Sequence, residues 1–213
     1  MAIFGDNGTK SGGTSLNKTS VKCRQFTIPE NGNLTQISFF YSTSPTSDTY
    51  NTKVFIYADN GSNSPGALLG SAYGPQISQN FPGSWVNVDV SVSGLTAGSK
   101  YWLGWINDAP SGISTFFWSH SSGSGGTGKY KSVSDGYAST PNPYGTPTGD
   151  TPNTYLIYGT YTPTGGGGVT VTPSAFNLAS AILAPVVSVQ KQITISPNAL
   201  SLNGALLAPN LAA

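Results

Sequence analysis

The sequence predicts an all-β fold, an antiparallel β-sandwich, followed by an extended tail that carries a repeat. Three observations predict it. Short segments with a period of two recur over roughly the first 160 residues. Clusters of turn-forming residues separate them. No stretch in that region shows a helical period. The segments fall at 20–28, 34–42, 52–57, 67–73, 85–92, 100–107, 113–119 and 154–162. Between them lie Pro29-Glu30-Asn31-Gly32, Ser44-Pro45-Thr46, Asp59-Asn60-Gly61, Phe81-Pro82-Gly83 and Asp108-Ala109-Pro110.

Segment 100–107 sets the pattern. After the turn Ala97-Gly98-Ser99, residues Tyr101, Leu103 and Trp105 share one face, and Trp102, Gly104 and Ile106 share the other. Both faces are apolar, so the strand is expected to be central and covered on both sides. Segment 85–92 differs. Val86, Val88, Val90 and Val92 face one way and Asn87, Asp89 and Ser91 the other, so one side is expected to be buried and one wet. Segment 154–162 is expected to close the sandwich beside an early strand. Residues 1–19 are Gly-rich and polar and read as an N-terminal arm or edge strand.

Between residues 119 and 153 the sequence has a long Gly-, Pro- and Ser-rich stretch in which Tyr130, Tyr137 and Tyr144 are spaced seven apart. Loops of this length in compact domains are usually functional or mobile, and Tyr among Ser and Gly is the composition of adaptable contact surfaces. Tyr130, Tyr137, Tyr144 and the nearby Trp118 are therefore the candidate contacts for a glycan or a protein partner.

The sequence after residue 162 has a different character. A Gly-rich linker occupies 163–168, and two copies of one unit follow at 169–187 and 193–211. The copies are offset by 24 residues, with Thr170 matching Thr194, Pro173 matching Pro197, and Ala184-Pro185 matching Ala208-Pro209. Lys191 is the sole side-chain charge after Gly165. Two units of this size cannot bury their own apolar side chains, and the low charge is the reverse of a disordered composition. The tail is therefore expected to dock on an assembly or on other copies. Its anchoring side chains would be Phe176, Leu178, Ile182 and Leu183 in the first unit and Leu200, Leu202, Leu206 and Leu207 in the second.

Composition narrows the function classes. Only 8% of residues are charged, against about 25% in ordinary soluble domains. The net charge of +1 offers no footprint for nucleic acid or an anionic membrane. The longest mostly apolar run, 178–187, is too short to span a bilayer. Cys23 is the sole cysteine and His120 the sole histidine, so neither an intrachain disulfide nor a His/Cys zinc site is expected. The acids, Asp6, Glu30, Asp48, Asp59, Asp89, Asp108, Asp135 and Asp150, sit mostly in turns, where Asp is favoured for its local hydrogen bonds. No catalytic elbow, phosphate loop or cofactor fingerprint occurs, so an enzyme, a metal and a cofactor are not expected. The surface looks extracellular, yet no signal peptide opens the chain. A virion protein, released by lysis, would reconcile the two; a sequence numbered from after a removed leader is the other expectation.

The motifs FTIPENGNLTQISFFYS, TKVFIYADNGSNSPGALLGS and LTAGSKYWLGW resemble a jelly-roll-like β-sandwich module of tailed-bacteriophage minor structural and decoration proteins. The resemblance covers about residues 20–162. The repeats are similar to the low-complexity tails of such proteins. What the resemblance implies is a jelly-roll sandwich in a non-enzymatic virion component, partnered by other virion proteins and by copies of itself. Related modules act as adhesins and carbohydrate-binding domains, so a surface-located module for host glycans is the alternative.

Overall fold

A computed structural model describes residues 1–9, 12–41, 49–77, 83–111, 115–120, 128–151 and 154–165 of the chain. The chain divides into two units, Met1–Val169 and Thr170–Ala213. The second unit, and with it the predicted anchors from Phe176 to Leu207, lies outside the described residues.

The described residues form strands and no helix. The strands are β1 (Ala2–Asp6), β2 (Gly12–Leu16), β3 (Ser20–Thr27), β4 (Gly32–Tyr41), β5 (Tyr50–Asp59), β6 (Pro65–Ile77) and β7 (Ser84–Leu95). There follow β8 (Lys100–Asn107), β9 (Thr115–His120), β10 (Gly128–Ser132), β11 (Gly149–Thr151), β12 (Thr154–Tyr155) and β13 (Ile157–Pro163). A four-stranded sheet has the order β1-β13-β4-β7 and a six-stranded sheet the order β11-β10-β3-β8-β5-β6; β12-β9-β2 form a smaller third sheet. Every pairing in the two large sheets is antiparallel. The two large sheets pack together as the layers of a sandwich.

Alternation decides what fills the space between them. Phe4, Leu34, Ile37, Phe39, Val86, Val88 and Val90 come from the four-stranded sheet, and Val54, Ile56, Tyr101, Leu103 and Trp105 from the six-stranded one. Trp105 stacks on Phe39 across the gap, with centroids 4.2 Å apart and planes at 16°. Such aromatic pairs add about 0.5–1.5 kcal/mol beyond their area burial. The sheets also close along one side. Gly70, Ala72 and Gly74 present the small side of β6, and a Cβ on Gly70 would lie 2.6 Å from Cγ2 of Val92. A larger residue there would push the valine row of β7 away.

Strand β8 is central and buried on both faces, as its sequence predicts. It pairs with β3 on one side and β5 on the other. Gly98 makes the turn before it at φ +75°, where a Cβ is strained. Strand β7 likewise has its valines buried and Asn87, Asp89 and Ser91 exposed. The closing segment is split at Leu156. β12 pairs with β9, while β13 lies between β1 and β4. Ala2–Asp6 form β1 at the edge of the four-stranded sheet, paired with β13.

Candidate functional site

The outer face of the six-stranded sheet carries a second core. Val21, Cys23, Phe55, Tyr57, Trp102 and Ile106 form it, and Tyr144 covers it, with Leu68, Val133 and Tyr137 at its margin. The cover comes from the stretch read as a long contact loop. Residues 128–151 instead contain β10, β11 and a folded cap. The cap is tied down by backbone bonds from Val133 N to Thr19 O (3.0 Å), Gly136 N to Lys18 O (2.7 Å) and Tyr144 N to Gly66 O (2.9 Å).

This corrects the reading of Tyr144 as a contact residue. It is fully buried, its hydroxyl donates to Val21 O at 2.9 Å, and its ring meets Tyr57 edge-on at 5.2 Å. The physical reason is that Trp102, Phe55 and Tyr57 would otherwise be open to water, and the cap supplies the apolar lid. Tyr130 is half-buried in β10, and its ring lies against Gly149. Tyr137 is half-buried and meets Tyr73 edge-on at 5.5 Å; Tyr73 is 63% exposed. The Lys53 ammonium sits over the Tyr73 ring, 5.0 Å from its centroid, and donates to Tyr137 O at 3.1 Å. Trp118 and His120 lie in β9, opposite Gly13 and Thr154. Their side chains lie outside the described residues, as does the segment 121–127.

The carboxylates hold the fold. Asp59 accepts from Trp102 Nε1 and Gln25 Nε2, both at 2.7 Å, and from Gly61 N at 3.0 Å. Asp108 accepts from Asn51 N at 2.9 Å and from its side chain at 2.6 Å. Asp6 pairs with Arg24 at 2.5 Å, Asp150 pairs with Lys129, and Glu30 accepts from Tyr161 at 3.1 Å. Asp135 accepts from Ala138 N at 2.9 Å and pairs with Lys18 at 3.3 Å. The Ala138 bond comes first among the causes that hold its carboxyl below the usual range. Asp48 lies outside the described residues. Burial pushes the Cys23 thiol up and makes it a poor nucleophile. Among the described residues no three His, Cys, Asp or Glu side chains gather as a metal site would require, and no helix is long and apolar enough to cross a membrane.

The tryptophans separate cleanly. Trp102 and Trp105 are 0% and 2% exposed, so neither ring presents a face to solvent. Trp85 is half-buried on the outward face of the four-stranded sheet. There its ring meets Tyr158 at 4.8 Å and Phe40 at 5.6 Å, both edge-on. Beside this trio Ser38 Oγ donates to Asn87 Oδ1 at 2.8 Å and Gln36 Nε2 donates to Asp89 Oδ1 at 2.9 Å. Sequence reasoning did not single out Tyr158 or Phe40. A signal for Trp85 was present, since it shares the parity of Asn87 and Asp89 on the wet side of β7.

No protein-family model matches this chain, and no curated protein matches it.

Proposed function

We propose that this chain is a non-enzymatic structural protein of a bacteriophage particle, a capsid- or tail-associated decoration or fibre component. A sandwich of jelly-roll type projects, and the uncharged repeats at 169–213 dock on the assembly or on other copies. The observation that carries the non-catalytic part is the commitment of the carboxylates. Asp6, Asp59, Asp108, Asp135 and Asp150 each accept a hydrogen bond or ion pair that fixes a turn or a strand edge. General acid–base work needs such groups aimed at a substrate. The motif resemblance supports the phage setting.

The test is sedimentation of the full chain beside a full-length variant carrying Leu183→Glu and Leu207→Glu. The wild type is expected to form larger species that the two charges disperse. Identical monomers in both would count against a docking tail. Detection at a fixed copy number in purified particles would establish the setting.

A second reading, a glycan-binding module on a surface, is favoured by one specific observation. Trp85 stands on an outward sheet face among polar side chains.

A further inference from the structure

We infer that the outward face of the four-stranded sheet binds a neutral, hydroxyl-rich glycan, with Trp85 and Tyr158 as its stacking surface and Asn87, Asp89 and Gln36 as its hydrogen-bonding row. The inference rests on the second reading above and assigns it a site.

Strand parity builds the face. Trp85, Asn87 and Asp89 project from β7 on the side opposite the buried valines. Their register partners on β4 are Phe40, Ser38 and Gln36. On β13, Tyr158 stands opposite Ser38 and Thr160 opposite Gln36. Rings therefore occupy one end of this grid and planar polar groups the other. Alternate residues on a strand are about 6.8 Å apart, so the row from Trp85 to Asp89 spans roughly 14 Å. That is the footprint of a short oligosaccharide.

The polar groups are held in place. Ser38 is fully buried although it lies on the outward side. Its hydroxyl fixes the amide oxygen of Asn87, and Gln36 fixes one carboxylate oxygen of Asp89. The groups through which these residues meet a ligand are then the Asn87 NH2, a donor, and the second Asp89 oxygen, an acceptor. A sugar hydroxyl needs both at once. Its ring offers a flat C–H face to an aromatic side chain, and Trp85 and Tyr158 supply one with a polar handle beside it.

Charge narrows the class. Among the outward residues of β1, β13, β4 and β7 in this grid, Asp89 carries the sole formal charge. A face with one anion and no cation disfavours phosphate and acidic polymers. A second protein copy is also disfavoured, because the face carries the charged Asp89 beside Gln36, and the core of a stable protein interface is depleted in charge.

The experiment is native electrophoresis of the full chain in gels containing glucomannan, mixed-linkage β-glucan or dextran, with polygalacturonate as the charged control. At least one neutral polysaccharide is expected to retard the wild type. Trp85→Ala should weaken retardation about ten-fold, and Asn87→Ala should weaken it in a chain that still unfolds cooperatively, its midpoint lowered only by the lost Ser38 bond. Tyr73→Ala should leave it intact. Retardation that survives Trp85→Ala and Asn87→Ala but fails in Tyr73→Ala would move the site and overturn this inference while keeping the glycan reading. No retardation of the wild type by any of the three would overturn both. Stronger binding to polygalacturonate would overturn the neutral class. Self-association abolished by Trp85→Ala would assign the face to a second copy instead.

Discussion

The indole N–H of Trp102 on β8 donates to the carboxylate of Asp59 at the end of β5, 2.7 Å away. Trp102 is fully buried, so this bond satisfies a donor that water cannot reach. The same carboxylate holds Gln25 of β3 and the backbone of Gly61. One side chain thereby joins three neighbouring strands to the turn that follows β5. Asp59→Ala is expected to cost about 1–3 kcal/mol, the penalty for an unmade buried hydrogen bond. Asp59→Asn keeps an acceptor and should cost less. Urea denaturation followed by tryptophan fluorescence checks both; equal stability of Asp59→Ala and wild type would remove the role.

Gly104 marks the tightest point of the sheet. A Cβ there would stand 2.4 Å from the Lys22 carbonyl oxygen and 2.3 Å from the Phe55 ring. The backbone neighbour cannot rotate away. Gly104→Ala is therefore expected at or above the upper end of the usual overpacking cost of about 1–3 kcal/mol. A lowered thermal midpoint, or loss of soluble protein, is the expected result.

The cap is expected to open without loss of the sheets when Tyr144 is altered. Tyr144→Phe removes the hydrogen bond to Val21 O and should cost about 1 kcal/mol. Tyr144→Ala also opens a cavity beside Tyr57 and should cost about 3–5 kcal/mol. Limited proteolysis should then cut within 133–148 before it cuts the sheets. Cleavage at equal rates in the two variants and the wild type would show that Tyr144 does not hold the cap.

Asp135 gives the cap a pH dependence. Its folded pKa lies below the unfolded value, first through the Ala138 N–H bond and also through Lys18. Its stabilising contribution is therefore complete above the unfolded pKa, about 3.9, and is lost as pH falls through the folded value. The carboxylate is solvent-screened, so the effect is small and local. The protection of the Ala138 amide, measured against its intrinsic exchange rate, should fall in that acid window, and Asp135→Asn should flatten the profile.

Cys23 offers a check on the outer core. Burial raises its thiol pKa, and its Sγ lies 3.8 Å from Lys129 O. An aromatic disulfide reagent at neutral pH should modify it only after unfolding. Rapid labelling of the native chain would mean that the cap leaves this core open.

The sequence legibly encoded the strands whose two faces differ in kind. β7 alternates Val with Asn, Asp and Ser, and β8 is apolar on both faces; each pattern reports burial directly because side chains in a strand alternate. β2, β10 and β11 were not legible, since GGTSL, GKYKS and GDT lack that alternation and pair only because neighbours align them. Tyr144 illustrates the same limit. A tyrosine among Gly, Pro and Thr reads as a surface contact, and nothing local says that Trp102, 42 residues earlier in the numbering, lies on an apolar face that needs covering.

The sequence by itself determined the all-β class, the central position of β8 and the wet side of β7. These follow from local periodicity, which a strand converts into sidedness without reference to the rest of the chain. The tertiary structure alone decided which aromatic rings are covered. Trp102 is buried in a core that Tyr144 joins, while Trp85 stays half-buried on the outward face beside Tyr158. Burial of a ring depends on which distant segment folds over it, and that is set by non-local pairing rather than by the residues on either side.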